Sequence, residues 1–364
     1  MKILCFLSGN ILSGKEFVAL DVIRGWKAVG HDVEVAFVGW HDGKFQHQLT
    51  EMNVKGHPIK LGWYYLRQWK WSLDSLVNYL PAIAQFRKLQ KQFNPDVIYM
   101  DSYRQIILLK PFLKKKVIFH VHDPHAFSGR ESKMIQLADS AVNRYVAVSG
   151  FIKSDLVACG VSADKVSVVY NGTHLPANEP KQYVPDGVLQ IGLIGQILER
   201  KGHEDVLEAI SQLVKNVKCK VLIYGKGDEG YIQRLKGIIA EKQLTPYVEW
   251  KGFEADKKKV YNSIDVVVAA TRNDEPFALV ALEAGAYKVP VIATRSGGFV
   301  ESIVDGETGF IVEKNNPAMI QDKLQYLYDT KGLLTRMGEA AYNNIKSNFS
   351  LAAMQAGMNK IITA

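Results

Sequence analysis

DVVVAATRNDEPFALVALEAGAYKVPVIA, residues 265–293, decides the fold. Asp265–Ala270 reads as a strand, and TRNDE follows as a polar loop. Pro276 takes a favoured first-turn position of a helix over Phe277–Tyr287, and Pro290–Ala293 is the next strand. The apolar runs on either side of the helix are short and unbroken. Strands buried on both faces of a parallel sheet read this way.

The same alternation extends outward. Upstream lie the strand Leu189–Ile194, the helix His203–Leu213, the strand Lys220–Tyr224, the helix Tyr231–Lys242 and the short strand Val248–Lys251. The N-terminal half repeats the theme with Ile3–Leu7, a helix over Glu16–Val29, His31–Val38, Val97–Met100, Val117–Val121 and Tyr145–Val148. Between the halves, Asn171–Gly187 holds Gly172, Pro176, Pro180, Pro185 and Gly187 without an apolar period, as an interdomain linker does. From Pro317 onward the chain is mostly helical. The expectation is an α/β protein of two Rossmann-like domains, 1–170 and 188–345, joined by the linker 171–187. A final helix, 346–364, returns toward the first domain. Ligands of such sheets bind outside the carboxyl ends of the strands, here in a cleft between the domains.

Bulk composition agrees with that plan. A chain of 364 residues exceeds one ordinary core. With 47% hydrophobic and 23% charged residues it is ordinary for a soluble protein, and no apolar run reaches membrane-spanning length. MKILCFLSGN reads as a buried strand and turn, not a signal peptide. Cys5, Cys159 and Cys219 are far apart in apolar runs and read as buried free thiols, so a reducing, cytoplasmic setting is expected. The net charge of +8 asks for an anionic partner: nucleic acid, an anionic membrane surface or a phosphorylated substrate. Its short clusters, Lys114–Lys116 and Lys257–Lys259, otherwise read as solvated faces. No basic helix or RNA-binding signature accompanies the charge, so nucleic acid is not expected.

Four segments can carry chemistry. At the opening of the helix after Glu275, the backbone N–H groups of Phe277, Ala278 and Leu279 and the positive end of the helix dipole form a diphosphate cradle. Glu275 stands just outside that helix and Glu283 two turns inside it, so the acids contact different parts of one extended, hydroxyl-bearing ligand. The plainer reading is an acidic first turn plus one buried, paired Glu. GQILERKG, Gly195–Gly202, places Gly195 for close backbone approach and Lys201 as a point charge for phosphate. LSGKE, Leu12–Glu16, offers Gly14 either as a turn glycine or as a phosphate-approach glycine. In FHVHDPH, His120 and His122 stand two apart on a strand without a third ligand at zinc-site spacing. His122 therefore reads as a polar group at the cleft lip, and no metal is expected.

ADSAVNRYVAVS (138–149), SVVYNGT (167–173), IGLIGQILERKG (191–202), YGKGDE (224–229) and the run from Glu275 to Val312 together resemble the retaining family 4 glycosyltransferases of GT-B fold, over nearly the whole chain. The resemblance implies metal-independent transfer of a hexose-type sugar from a UDP- or GDP-sugar, with no other cofactor. The acceptor would be a glycan or a lipid-linked group in bacterial polysaccharide or lipopolysaccharide synthesis. It implies that Glu275 contacts donor-sugar hydroxyls and Glu283 the ribose, and that Lys201 neutralises the diphosphate with help from Gly14 and the backbone of Phe277–Leu279. His122 would lie beside the donor sugar, and retention would proceed by front-face attack as the diphosphate leaves. No Asp-x-Asp pair exists in the sequence, so positive charge must come from Lys201, backbone N–H groups and Arg200 or Arg272. Gln196 stands where the family has Arg, Ala278 where Gly is common, and SGKE where GGAE is commoner.

LGWYYLRQWKW, Leu61–Trp71, is dense in aromatics and cations. Trp63, Arg67, Trp69 and Lys70 would touch the acceptor or a membrane interface, making the protein peripheral on the inner face of the cytoplasmic membrane. The plainer reading is a segment packed on its own domain. Two other functions fit the same fold: a sugar-nucleotide 2-epimerase, and a non-catalytic sugar-nucleotide sensor or partner subunit.

Overall fold

A computed structural model of the chain describes every residue except 10, 11, 13, 63–68, 127, 178 and 184–186, and only the backbone of 69–71. Trp63, Arg67 and Pro185 therefore lie outside the described residues, and Trp69 and Lys70 enter only as backbone at the start of the helix Trp69–Val77. The chain divides into two compact units, Met1–Gly172 with Ala352–Ala364, and Thr173–Leu351.

The first unit is built on seven strands: β1 (Lys2–Leu7), β2 (Asp32–Val38), β3 (Lys55–Ile59), β4 (Val97–Met100), β5 (Lys116–Val121), β6 (Arg144–Ala147) and β7 (Val166–Val168). They lie in the order β3-β2-β1-β4-β5-β6-β7 with every pair parallel. The strand order reverses between β1 and β4, so the loops after those two strands diverge and leave a crevice at their carboxyl ends. Residues from Ala352 on join this unit. Gln355 Nε2 donates to the Asp21 carbonyl at 2.8 Å, and Asn359 Oδ1 meets His31 Nε2 at 2.7 Å.

The second unit has six strands: β8 (Leu189–Ile194), β9 (Cys219–Tyr224), β10 (Val248–Gly252), β11 (Val266–Ala269), β12 (Val291–Thr294) and β13 (Gly309–Val312). Their order is β10-β9-β8-β11-β12-β13, again all parallel, and the reversal falls between β8 and β11. Both faces of this sheet are covered, which explains the unbroken apolar runs. Val266 and Val268 pack with Leu189 and Ile191 on one side, while Val267 packs with Val291 and Ala293 on the other.

One boundary near the site is corrected. The helix expected over Phe277–Tyr287 spans Leu279–Ala286. Its approach is tied elsewhere: the Glu275 N–H donates to Ser296 Oγ at 2.8 Å, and the Glu275 carbonyl accepts from Gly298 N at 2.9 Å. Pro276 has no N–H to give, so regular helix begins only after this anchored stretch. Glu283 consequently sits about one turn inside the helix rather than two.

Candidate functional site

In the second unit, the loops after β8 and β11 leave adjacent strands and meet. Gly195, the residue after β8, has φ 136°, a conformation that favours glycine. A short turn, Glu199–Lys201, follows and closes on Gly202 at φ 67°. A Cβ at Gly202 would fall 1.9 Å from the Ala270 carbonyl oxygen, so only glycine lets this loop lie against the end of β11. The junction is then stitched together: the Arg272 N–H donates to the Arg200 carbonyl at 2.8 Å, and Thr271 Oγ1 donates to the same oxygen at 3.1 Å.

That junction brings Glu275, Lys201 and Arg200 together. Glu275 Oε1 accepts from Lys201 Nζ at 2.5 Å and from Arg200 at 3.2 Å, and Thr271 Oγ1 lies 3.2 Å from it. Ser296 Oγ completes the frame by donating to the Asn273 carbonyl at 3.1 Å while holding the Glu275 N–H. Arg272, considered above as a second source of charge, is committed elsewhere. Its guanidinium forks onto Asp205 at 2.7 and 3.0 Å, and that contact holds its pKa above the usual arginine value. Gln196 is exposed in the loop after β8.

The helix opening differs from the expected cradle of three open N–H groups. The Leu279 N–H donates back to the Phe277 carbonyl at 3.2 Å, and Phe277 and Ala278 are buried. Glu283 has both oxygens engaged, one by Lys257 Nζ at 2.8 Å and the other by the hydroxyl of fully buried Tyr261 at 2.9 Å. Burial, then the neighbouring Glu283, pushes the Tyr261 phenol well above its ordinary range, so it remains a donor. Behind Lys201, buried His203 leaves Nδ1 without a partner among the described residues. Burial, then the Lys201 charge, lowers its pKa to about 4. Thr271, Tyr261 and His203 were given no role from the sequence, and Lys257 was read as part of a solvated face, because polar residues dispersed on separate loops carry no spacing signal.

In the first unit a second polar cluster sits at the β1/β4 reversal. The Ser8 N–H donates to Asp101 Oδ1 at 2.7 Å, and Lys15 Nζ reaches Asp101 at 3.2 Å and Ser8 Oγ at 2.8 Å. Gly14 is the exposed first residue of the helix Gly14–Ala28. His120, within β5, meets the Tyr99 hydroxyl at 2.5 Å, and its ring lies 4.1 Å from that of His122. His122 is half-buried, with its Nε2 enclosed and without a partner among the described residues. Burial, then the positive charge of Lys15, lowers its pKa to about 3, so the imidazole is neutral. A neutral imidazole with a free ring nitrogen can accept or donate one hydrogen bond but contributes no charge.

Comparison with known proteins gives a consistent picture. A family model described as "Glycosyltransferase Family 4" matches residues 12–175, and one described as "Glycosyl transferases group 1" matches residues 176–344. The chain is 27% identical over 240 residues to the capsular polysaccharide biosynthesis glycosyltransferase CapM of Staphylococcus aureus, covering 65% of this chain and 60% of that one. It is 27% identical over 216 residues to the D-inositol 3-phosphate glycosyltransferase of Corynebacterium efficiens, covering 54% of this chain and 50% of the relative. The chain thus matches half to three-fifths of these relatives' lengths. Among solved structures, Anabaena Alr3699/HepE in complex with UDP superposes with a TM-score of 0.85 at 18% identity, over the full length of both chains.

Proposed function

The chain belongs to the family 4 glycosyltransferases of GT-B fold, and on that premise we propose that it moves a hexose-type sugar from a nucleoside diphosphate sugar to a glycan or lipid-linked acceptor, with retention of configuration, in the synthesis of a bacterial cell-surface polysaccharide or lipopolysaccharide. The observation that carries this reading is the triad at the β8/β11 reversal, where Lys201 and Arg200 converge on Glu275. In the free chain the two cations neutralise a carboxylate. A diphosphate carries more negative charge than one carboxylate and competes for both cations, releasing Glu275 to accept from sugar hydroxyls. The same two cations then stabilise the charge that grows on the leaving diphosphate, where the largest catalytic gain lies. Arg200 also offers the charge that Gln196 lacks.

Glu283 is the acceptor proposed for the ribose hydroxyls. Tyr261 fixes one oxygen, and exposed Lys257 is free to swing away as the hydroxyls arrive. His122, held neutral, serves the sugar as a hydrogen-bonding group and not as a charged base. The donor nucleotide is UDP or GDP, and UDP has the support of the HepE complexes with UDP and with UDP-glucose.

A panel of UDP-, GDP- and ADP-sugars, scored by thermal stabilisation and slow donor hydrolysis, tests the reading. One donor should stabilise the wild type, and Lys201→Ala and Glu283→Ala should abolish that shift. Lys201→Ala should also lower kcat/KM by roughly 10²–10³-fold, the usual effect of deleting one charge-stabilising donor. If no sugar nucleotide shifts the melting temperature, or both variants respond like the wild type, the proposal fails.

A further inference from the structure

The helices Trp69–Val77 and Tyr79–Phe93 of the first unit carry a surface that the site does not use. The helical hydrogen bonds run on through their junction, from Asn78 N to the Asp74 carbonyl at 3.0 Å and from Ala82 N to the Asn78 carbonyl at 2.8 Å. At 100° per residue, positions 73, 76, 77, 80, 84, 87, 88 and 91 fall within an arc of about 120°. The opposite side already supplies the core, through Ala82, Phe86, Leu89 and Phe93. A helix on a soluble domain needs one apolar face. This one has a second, in which Leu73, Leu76, Val77 and Leu80 are 52%, 64%, 69% and 73% exposed.

Further along the same arc the apolar stripe gives way to positive charge. Arg87, Lys88 and Lys91 line a groove of about 760 Å³ together with Phe112, Lys114 and Lys115, and among the described residues no carboxylate lines it. The sequence has no acidic residue from 75 to 95 or from 102 to 122. Charge of a single sign beside exposed leucines is what an interfacial helix presents to a bilayer: apolar side chains enter the acyl boundary while lysines and arginines meet anionic headgroups. A soluble polyanion would use the cations and leave the leucines without a role.

We propose that this face docks the protein on an anionic lipid surface, Leu73, Leu76, Val77 and Leu80 inserting and Arg87, Lys88, Lys91, Lys114 and Lys115 pairing with headgroup phosphates. It rests on the lipid-linked acceptor reading for its purpose, not for its evidence. The full chain should float with vesicles of equal parts phosphatidylcholine and phosphatidylglycerol, and not with phosphatidylcholine alone. Lys114→Glu with Lys115→Glu should weaken the partitioning by at least about tenfold. Leu76→Ser with Leu80→Ser should weaken it comparably and leave heparin binding unchanged. All of these side chains are exposed, so each variant should keep the wild-type melting temperature and its shift with sugar nucleotide, a readout that reports separately on the donor site. The proposal is overturned if the wild type ignores anionic vesicles. It is equally overturned if the leucine variant binds them as the wild type does, which would make the groove a site for soluble polyanions.

Discussion

At the scale of single residues, the two units share a device: an imidazole with one enclosed ring nitrogen, kept neutral beside a lysine. His203 lies behind Lys201, and His122 feels the charge of Lys15. Burial is the larger cause in both, and the nearby cation adds to it. The folded pKa values, about 4 and about 3, lie below the ordinary 6.5, so the unfolded chain binds these protons more readily than the folded one. Their contribution to stability is complete above pH 6.5 and is lost as the pH falls toward the folded values. The cost is about 1.4 kcal/mol per pH unit for each histidine in that window. Denaturant titrations of the wild type and of His203→Asn at several acidic pH values should therefore give different slopes, the variant losing stability less steeply by about that amount. Parallel slopes would mean that His203 titrates in the folded chain as it does in water. Neither histidine could be assigned this state from sequence, because FHVHDPH and KGHED give the residues and not the enclosure.

At the scale of elements, the most readable parts were the central strands. Leu189–Ile194 and Val97–Met100 are bounded in the structure as their apolar runs suggest. Of the four edge strands only β10 was legible, as Val248–Lys251. KGHPI, which forms β3, has a glycine and a proline where a central strand would have branched residues, and only an edge tolerates them. Three-residue β7 is too short to show a period, and β13, GFIV, lies so close to a turn that it reads as loop. The helix after Pro276 began late because hydrogen bonds from a distant loop, at Ser296 and Gly298, outweigh local propensity. The loop after β8 makes the same point in testable form. Gly202→Ala would force a Cβ against the Ala270 carbonyl at positive φ. It should cost about 3 kcal/mol or more and spoil donor binding by moving Lys201 off Glu275. Gly237, inside the helix Glu229–Glu241 with open space around it, is the contrast: Gly237→Ala should raise stability by about 0.5–1 kcal/mol. Equal and small effects at both positions, read by thermal denaturation, would show that the β8 loop is not held as described.

At the scale of the whole molecule, two sheets of different sequence reverse their strand order at equivalent places, and a cluster of ionisable groups sits at each reversal. The β1/β4 reversal gathers Ser8, Lys15 and Asp101, and the β8/β11 reversal gathers Arg200, Lys201 and Glu275. The sequence shows that there are two αβ halves, but a meeting of residues 74 positions apart depends on which strands become neighbours. Strand order is carried by no local pattern, so the partnership of Lys201 with Glu275 was beyond reading even though each residue was singled out. The proposed exchange, in which a diphosphate takes the cations and frees the carboxylate, makes the β8/β11 reversal the part of the molecule that a sugar nucleotide should rigidify. Hydrogen exchange of the full chain should therefore slow at 195–202, 271–279 and 257–263 when the donor is added. At about a hundredfold excess over Kd, the second unit should gain about 2.7 kcal/mol of stability through binding alone. Protection confined to the outer strand β10, with these three segments exchanging as in the free chain, would remove the reversal from the donor site. Protection of the first two segments without 257–263 would keep Lys201 and Glu275 in place while separating Glu283, with its Tyr261 and Lys257 partners, from the ribose.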